Sequence, residues 1–311
     1  MKMKVLLTGA NGFLGKTIFK TLKEEHQITG LSRSFGEYLV CLDKQIPNFH
    51  HSFDIVIHAA GKAHSIPKND AEKKQFHEVN VIGTKNLLKG LEKTVLPKQF
   101  IFISSVSVYG QDLGNDINEK HQLEAKDSYG LSKIEAEELA MKWCKKQNVV
   151  CTILRLPLLV GENPPGNLGA MIKAIDKGYY FNIGGGKARK SMVLAQDVAT
   201  LILKAAIIGG IYNLTDGCHP NFNELSMAIL KQKNKKKARN IAMSIANLIG
   251  YAGDLLGNKA LINTFQIKKI TSDLTFDDTK ARQILGWKPQ GVIEWYGKRQ
   301  NIGDKYMLNN N

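Results

Sequence analysis

Lys4-Val-Leu-Leu-Thr8-Gly9-Ala-Asn-Gly12-Phe-Leu-Gly15, followed by the apolar positions Ile18, Phe19 and Leu22, is the stretch on which the fold turns. Its apolar start reads as a short buried strand, and the spacing after the glycines reads as an amphipathic helix. Glycines placed between strand and helix make a tight turn whose backbone can approach a pyrophosphate. The helix N-terminus then meets that anion with free N–H groups and the positive end of its dipole. Gly9, Asn11, Gly12, Phe13, Leu14 and Gly15 are therefore the candidate residues of a dinucleotide-binding turn. Three glycines alone also suit an ordinary turn; the strand before and the helix after make the reading specific.

Strand-like and helix-like stretches alternate from here to Gly161. Gln27-Ile-Thr-Gly-Leu31 ends in Ser32-Arg33, where an NAD site of this kind places an acidic residue about 20 residues past the glycines. A hydroxyl and a guanidinium suit a ribose 2′-phosphate instead, because Arg meets phosphate through paired, charge-assisted hydrogen bonds. Ser32 and Arg33 thus favour NADP over NAD. Tyr38–Leu42 reads as a third strand, with Asp43 beyond it as a partner for the adenine amino group. Asp54-Ile-Val-Ile-His-Ala-Ala-Gly61 is an apolar strand running into small residues. Ala59, Ala60 and Gly61 leave room for a cofactor against the backbone, with Lys62 following it or facing the substrate. A helix through Phe76–Leu88 carries Asn80 and Gly83 where it passes close to another part of the molecule, and Asn80 joins the cofactor set. Val149–Leu154 is the next strand.

This alternation predicts an α/β fold, a Rossmann-type doubly wound parallel sheet over residues 1–161. After Gly161 the pattern turns mainly helical. Glu162–Leu168 reads as a loop and Gly184-Gly-Gly186 as a glycine-rich basic turn. Residues 162–295 are expected to form mainly a smaller C-terminal substrate lobe, with later segments returning to the first domain, and 296–311 a tail.

Ile101-Phe-Ile-Ser-Ser105-Val-Ser-Val-Tyr-Gly110 and Tyr129-Gly-Leu-Ser-Lys133 carry the chemistry. The first is a buried strand ending in hydroxyls. The second opens a helix N-capped by Asp127 or Ser128 and sets a phenol and an ammonium on one face. Ile134, Ala136, Leu139, Ala140 and Trp143 continue its inner side; Glu135, Glu137 and Glu138 are read as outward. A phenol beside a cation and a hydroxyl can move a proton on and off a carbonyl oxygen. A free phenol titrates at about 10. The ammonium and a positive nicotinamide ring are expected to draw it toward working pH.

The chain has 43 Lys and Arg against 28 Asp and Glu, a formal charge of +15. That charge suits nucleic acid, an anionic membrane surface or a polyanionic small molecule. None of the named nucleic-acid motifs occurs, so no nucleic-acid partner is expected. The excess is spread out except at Lys231–Arg239, which precedes the apolar, helix-patterned Ile241–Leu256. Such a pair could lie on an anionic membrane, but the expectation is a lobe helix packed on the core. No apolar run approaches the roughly 20 residues of a membrane span. No signal peptide is recognisable, and Cys41, Cys144, Cys151 and Cys218 lack metal or disulfide spacing. A cytoplasmic location without a metal site is expected.

Gly9-x-x-Gly12-x-x-Gly15, Ser105, Tyr109-Gly110, Tyr129-x-x-x-Lys133 and Asp277-Asp-Thr-Lys-Ala-Arg-Gln-Ile-Leu-Gly-Trp287-Lys-Pro289 occur in this order. Together they resemble the extended short-chain dehydrogenase/reductases, in the NAD(P)-dependent epimerase/dehydratase group that acts on nucleotide sugars. The likeness runs to about Glu294. It implies that Tyr129 is the catalytic acid/base, that Lys133 holds the nicotinamide ribose and that Ser105 bonds the substrate oxygen. Val106 would lie beside the substrate and Leu156 beside the cofactor. Asn167-Leu168 would grip the substrate diphosphate, and Arg189 or Lys190 would be its cation. Sugar-nucleotide 4,6-dehydratases carry an Asp-Glu pair where this chain has Val106 and Ser107, so dehydration is not expected. Leu156-Pro157-Leu158 resembles the branch of 4-keto-6-deoxy-N-acetylhexosamine reductases and related epimerases; UDP-glucose 4-epimerases usually carry Asn at the position of Leu158.

The expected function is oxidoreduction at C4 of a UDP-linked sugar, tilted toward 4-keto reduction with NADP. UDP-sugar 4-epimerisation with bound NAD is the alternative. A reading of another class is a cofactor-sensing or RNA-associated relative without chemistry; such proteins usually lose the Tyr or the Lys, and both stand here. Relatives are often dimers through the Tyr–Lys helix, so a homodimer is expected, with Trp143 at that contact or in the core.

Overall fold

Strands that are apolar on both faces need covering from both sides, and helices provide it. The computed structural model describes residues 2–63, 67–256 and 262–298. The chain runs β1 (Lys4–Thr8), α1 (Phe13–Leu22), β2 (Gln27–Ser32), β3 (Tyr38–Leu39), β4 (Ile55–His58), α2 (Asp70–His77), a π-helical turn (Glu78–Ile82) and α3 (Gly83–Leu91). Next come β5 (Gln99–Ser105), a 3₁₀ turn (Val106–Tyr109), β6 (Gly114–Ile117), α4 (Ser128–Gln147), β7 (Val150–Leu156), β8 (Leu158–Val160) and α5 (Gly166–Asp176). Then follow β9 (Phe181–Ile183), β10 (Met192–Leu194), α6 (Ala195–Ile208), β11 (Gly210–Asn213) and α7 (Phe222–Gln232). The last elements are β12 (Arg239–Ile241), α8 (Met243–Leu256), α9 (Thr264–Thr271), β13 (Leu274–Phe276) and α10 (Thr279–Leu285).

Seven strands form one parallel sheet in the order β11-β7-β5-β4-β1-β2-β3. The order reverses between β1 and β4, and their C-terminal ends open the crevice where doubly wound sheets bind ligands. Residue parity sorts the two faces. Val5, Leu7, Ile55, Ile57, Ile101 and Leu154 pack with Ile18, Leu22, Val198 and Ile202 on the side of α1 and α6. Leu6, Val56, Phe100, Phe102 and Ile153 pack with Leu87, Leu91, Ala136, Ala140 and Trp143 on the side of α3 and α4. Burial of each such side chain contributes roughly 1.5–3 kcal/mol, and a one-residue slip of a strand would exchange the two sets. Trp143 belongs to this core and donates from Nε1 to Glu92 Oε1 at 2.9 Å.

The second half differs from its sequence reading. It contributes to three two-stranded pairs, β8–β10, β9–β12 and β6–β13, whose strands are too short to show a period. Gly166, expected in a loop, opens α5, so Asn167 and Leu168 stand in its first turn. Leu168 is buried with Val160, Met171, Met192 and Leu225 in a cluster separate from the two faces of the sheet. The chain also returns to the sheet: β11 completes its edge, and Ala281, Leu285 and Trp287 pack on the α1–α6 side.

Candidate active site

The glycine turn is closed by its own backbone. Gly9 stands at φ +69°, where a Cβ would lie 2.7 Å from the Ala60 nitrogen, and a Cβ on Gly15 would run into the Gly9 carbonyl. Gly12 N donates to that carbonyl at 2.8 Å. Gly12 is also the N-cap of α1 and supplies no side-chain cap, which leaves the first N–H groups for an anion. Asn11 Nδ2 donates to Ser34 Oγ at 3.0 Å, tying the turn to the loop after β2. Phe13 fills the space against Gly161. Leu14 and Leu156 turn their side chains into the core, so they can meet a cofactor through backbone alone.

A buried relay braces the opposite wall. Thr84 donates from Oγ1 to the Asn80 carbonyl at 2.6 Å and stands 2.9 Å from His58 Nε2; His58 Nδ1 lies 2.7 Å from Thr8 Oγ1, which accepts from Ala60 N at 3.1 Å. Donor bookkeeping along this chain puts the imidazole proton on Nε2. Burial holds the His58 pKa at about 3, with Lys133's charge adding to the effect, so the ring is neutral. Asn80 is buried in the π-helical turn. Its Oδ1 accepts from Lys62 N at 2.7 Å, and its Nδ2 donates to the Lys62 carbonyl at 3.1 Å and to Ser132 Oγ at 2.8 Å. The Ala59-Ala60-Gly61 backbone is thereby locked to α4. Lys62 itself donates from Nζ to Gln75 Oε1 at 2.8 Å, toward α2.

Around the second strand the picture is mixed. Ser32, read as a phosphate ligand, is buried and spends its hydroxyl locally, donating to the Phe35 carbonyl at 2.6 Å and accepting from Phe35 N at 2.9 Å. Arg33 is exposed. Asp43 accepts from Cys41 Sγ at 3.1 Å beside Gly83 of α3, where a Cβ would meet only ordinary contacts.

At the start of α4, Asp127 settles the cap, accepting from Tyr129 N and Gly130 N at 3.0 Å each. A Cβ on Gly130 would lie 2.8 Å from the Ser107 carbonyl, so glycine allows α4 to close on the turn after β5. Ser105 is buried, accepts from Ser107 N at 3.2 Å and lies 3.1 Å from Ser107 Oγ. Val106 starts the turn beside it. The half-buried Tyr129 ring stands 5.9 Å from Phe76. Burial pushes the phenol's pKa up, hydrogen bonding with Ser105 opposes this, and the Asp127 carboxylate adds to the rise. The expected lowering by the ammonium is therefore absent from the chain itself: desolvation wins and the phenol is protonated at neutral pH. Lys133 is buried, donates from Nζ to the Ile103 carbonyl at 2.6 Å and sits 4.0 Å from the Phe102 ring centre. Burial brings its pKa down to about 7, with the Glu137 carboxylate opposing.

Arg189 and Lys190, the remaining candidates, stand just before β10. Arg189 donates from Nε to the His219 carbonyl at 3.1 Å and from Nη2 to the Cys218 carbonyl at 2.8 Å; Lys190 Nζ donates to the Lys269 carbonyl at 3.1 Å. Lys190 is joined to the turn after β5 through β13, which bridges to Lys190, pairs with β6 and packs with Val108 and Tyr109.

Residues 5–214 match the NAD dependent epimerase/dehydratase family. The chain belongs to that family. It is 29% identical over 304 residues to the N-acetyl-alpha-D-glucosaminyl-diphospho-ditrans,octacis-undecaprenol 4-epimerase of Escherichia coli O157:H7, covering 90% of this chain and 89% of that protein. It is 27% identical over 320 residues to the UDP-glucose 4-epimerase of Vibrio cholerae, covering 94% and 93%. It is 25% identical over 308 residues to the GDP-6-deoxy-D-mannose reductase of Pseudomonas aeruginosa, covering 94% of each. The fold matches the crystal structure of Thermotoga maritima UDP-glucose 4-epimerase with UDP-glucose at TM-score 0.75 and 19% identity, over 98% of this chain and 100% of that one.

The chain is thus an enzyme of the NAD(P)-dependent epimerase/dehydratase family, in its nucleotide-sugar epimerase/reductase group, and the Rossmann-type sheet read from the sequence is the observed one. The glycine cradle, closed to any Cβ and uncapped by side chains, fits the pyrophosphate of a dinucleotide. One group of residues in this epimerase/dehydratase chain was not picked out from sequence. Glu137, read as outward, is fully buried. Its carboxylate accepts from Arg155 Nε at 3.1 Å and Nη2 at 2.7 Å, and from the Ser104 hydroxyl. Arg155 Nη1 donates to the Tyr109 hydroxyl at 3.1 Å, which donates to Asn213 Oδ1 at 2.7 Å. Every charge here is paired, as burial demands. The available signal was spacing: Tyr129, Lys133 and Glu137 lie at i, i+4 and i+8 on one helix face.

Proposed function

We propose that this enzyme interconverts alcohol and ketone at C4 of a UDP-linked sugar and works as a 4-epimerase. The observation that carries the reading is the Tyr129 phenol, in the first turn of α4, within hydrogen-bonding reach of the Ser105 hydroxyl at the end of β5, in a chain whose glycine cradle fits a dinucleotide. When bound, the dinucleotide supplies the hydride acceptor and donor. Ser105 donates to the C4 oxygen and orients it; Tyr129, as the phenolate that a bound cofactor's positive nicotinamide ring would favour, takes the proton from that oxygen as the ketone forms, and the phenol so formed returns it as the alcohol is restored. Lys133, anchored on the Ile103 carbonyl, is the group we assign to the nicotinamide ribose. Asn167 and Leu168, in the uncapped first turn of α5, together with Arg189 or Lys190, are the groups we assign to the diphosphate. Val106 and Ser107 offer no carboxylates for elimination, so the ketone is reduced again and not dehydrated.

Epimerisation is preferred to net reduction because the Ser32 hydroxyl is already used within its own turn. That removes one of the two groups pointing to a 2′-phosphate and supports NAD as the cofactor. The exposed Arg33 supports the second reading, a 4-keto-sugar reductase using NADPH. Purified enzyme incubated with UDP-glucose and UDP-N-acetylglucosamine, without added cofactor, is expected to yield the C4 epimers on chromatography. NADPH consumption with a UDP-4-keto-6-deoxy-N-acetylhexosamine, together with no interconversion of UDP-sugars, would replace the epimerase by the reductase.

A further inference from the structure

Helix α8 packs by its smallest residues. Ala246, Gly250 and Gly253 are its buried positions. A Cβ on Gly250 would lie 2.7 Å from Ile267 Cδ1, and one on Gly253 would run into the Ile262 carbonyl, so the glycines let α9 press against this stripe. Asp254 fastens the pair by accepting from Thr264 Oγ1 at 2.7 Å. The large residues point the other way: Ile245, Leu248, Tyr251, Leu255 and Leu256 are exposed, Leu255 to 90%, and Phe265 of α9 joins them. The expectation of a helix packed on the core is therefore corrected. Gly250 and Gly253 mark its inner side.

A run of charge precedes this helix in the chain. Lys231, Lys233, Lys235, Lys236, Lys237 and Arg239 are exposed immediately before α8, in a run without an acidic residue. Lys233 pairs with Asp176 at 2.9 Å. An apolar helix face flanked by a run of exposed cations is the signature of a helix lying in the headgroup region of an anionic bilayer. A second copy of the chain suits the face poorly, because a two-fold contact would bring the basic run near its own image. Nor can α8 span: its 14 residues reach about 21 Å, against a hydrocarbon core of roughly 30 Å.

We infer that α8 and α9, with the basic run before them, form a peripheral docking face for anionic lipid bilayers. This goes beyond the assigned catalysis and does not depend on it. The face adjoins the smaller lobe's basic turn, since Met243 contacts Gly184 and Asn240 Oδ1 accepts from Gly185 N at 2.8 Å. Docking therefore sets that turn close to the membrane surface.

The test is co-sedimentation of the full chain with vesicles of equimolar phosphatidylglycerol and phosphatidylcholine, and with phosphatidylcholine alone. Binding to the anionic vesicles is expected. Raising salt from about 0.1 M to about 1 M shortens the Debye length from about 10 Å to about 3 Å and should release most of the protein. K235Q/K236Q/K237Q should weaken binding on the order of a hundredfold, and L248S/L255S roughly tenfold or more. These positions are exposed and outside the assigned site, so circular dichroism and activity should match the wild type. Absence of binding to anionic vesicles overturns the inference. So does a dimer in sedimentation velocity that L248S/L255S dissociates while vesicle binding is unaffected, which would assign the face to a second copy.

Discussion

Helix α4 carries Ser132, Lys133 and Glu137 into the protein interior, whereas helix α8 leaves Ile245, Leu248, Tyr251 and Leu255 in solvent. Both arrangements run against the ordinary sorting of side chains by burial. In α4 the cost is offset by partners: Lys133 on the Ile103 carbonyl, Glu137 on Arg155, Ser132 on Asn80. In α8 no such compensation is built in, and the apolar face points outward next to a basic run. Buried polar groups with assigned partners mark where chemistry is organised; uncovered hydrocarbon marks where the molecule meets something else.

The largest break of this contrast should come at Tyr129. Tyr129→Phe removes the proton carrier and leaves the ring packing, and kcat should fall about 10²–10⁴-fold with the melting temperature unchanged. Glu137→Ala acts on the same helix without touching substrate. It leaves Arg155 buried and unpaired, and urea unfolding should register a loss of about 3–5 kcal/mol. Lys133 tests the burial of charge through pH. Its folded pKa of about 7 lies below the unfolded value, so the unfolded chain binds the extra proton between about pH 7 and 10. The stability of the cofactor-free protein should therefore gain, from this residue, up to about 1.4 kcal/mol per pH unit as pH rises through that window. Lys133→Met should flatten the slope. The smallest effect belongs to Glu138, the exposed neighbour of Glu137, which pairs with Lys142 at 3.1 Å. Glu138→Ala should change stability by less than about 0.5 kcal/mol. Equal losses at Glu137 and Glu138 would dissolve the distinction between the two faces of α4.

Much of this was legible before the fold was seen. The alternation of apolar strands with helices and the glycine turn predict the sheet, because buried parallel strands and a backbone closed to Cβ atoms leave strong marks in sequence. Three things escaped for physical reasons. The short strands of the smaller lobe, such as Leu158–Val160, are held by one neighbour and show no period. Glu137 looked exposed because carboxylates usually are, and its partner Arg155 lies on a different element. Ser32 stands where the motif predicts a ribose contact, but a hydroxyl can satisfy its own turn, and here it does.

The central claim, that the sugar is oxidised and reduced at C4 with the oxygen's proton passing through Tyr129, is tested most directly by epimerisation in deuterated water. Carbon-bound hydrogen that leaves and returns as hydride does not exchange with solvent, whereas the hydroxyl proton does. The account predicts the C4 epimer of the supplied UDP-sugar with protium retained at C4 in the NMR spectrum, and no product from Tyr129→Phe at comparable times. Deuterium at C4, or full turnover by Tyr129→Phe, would contradict it.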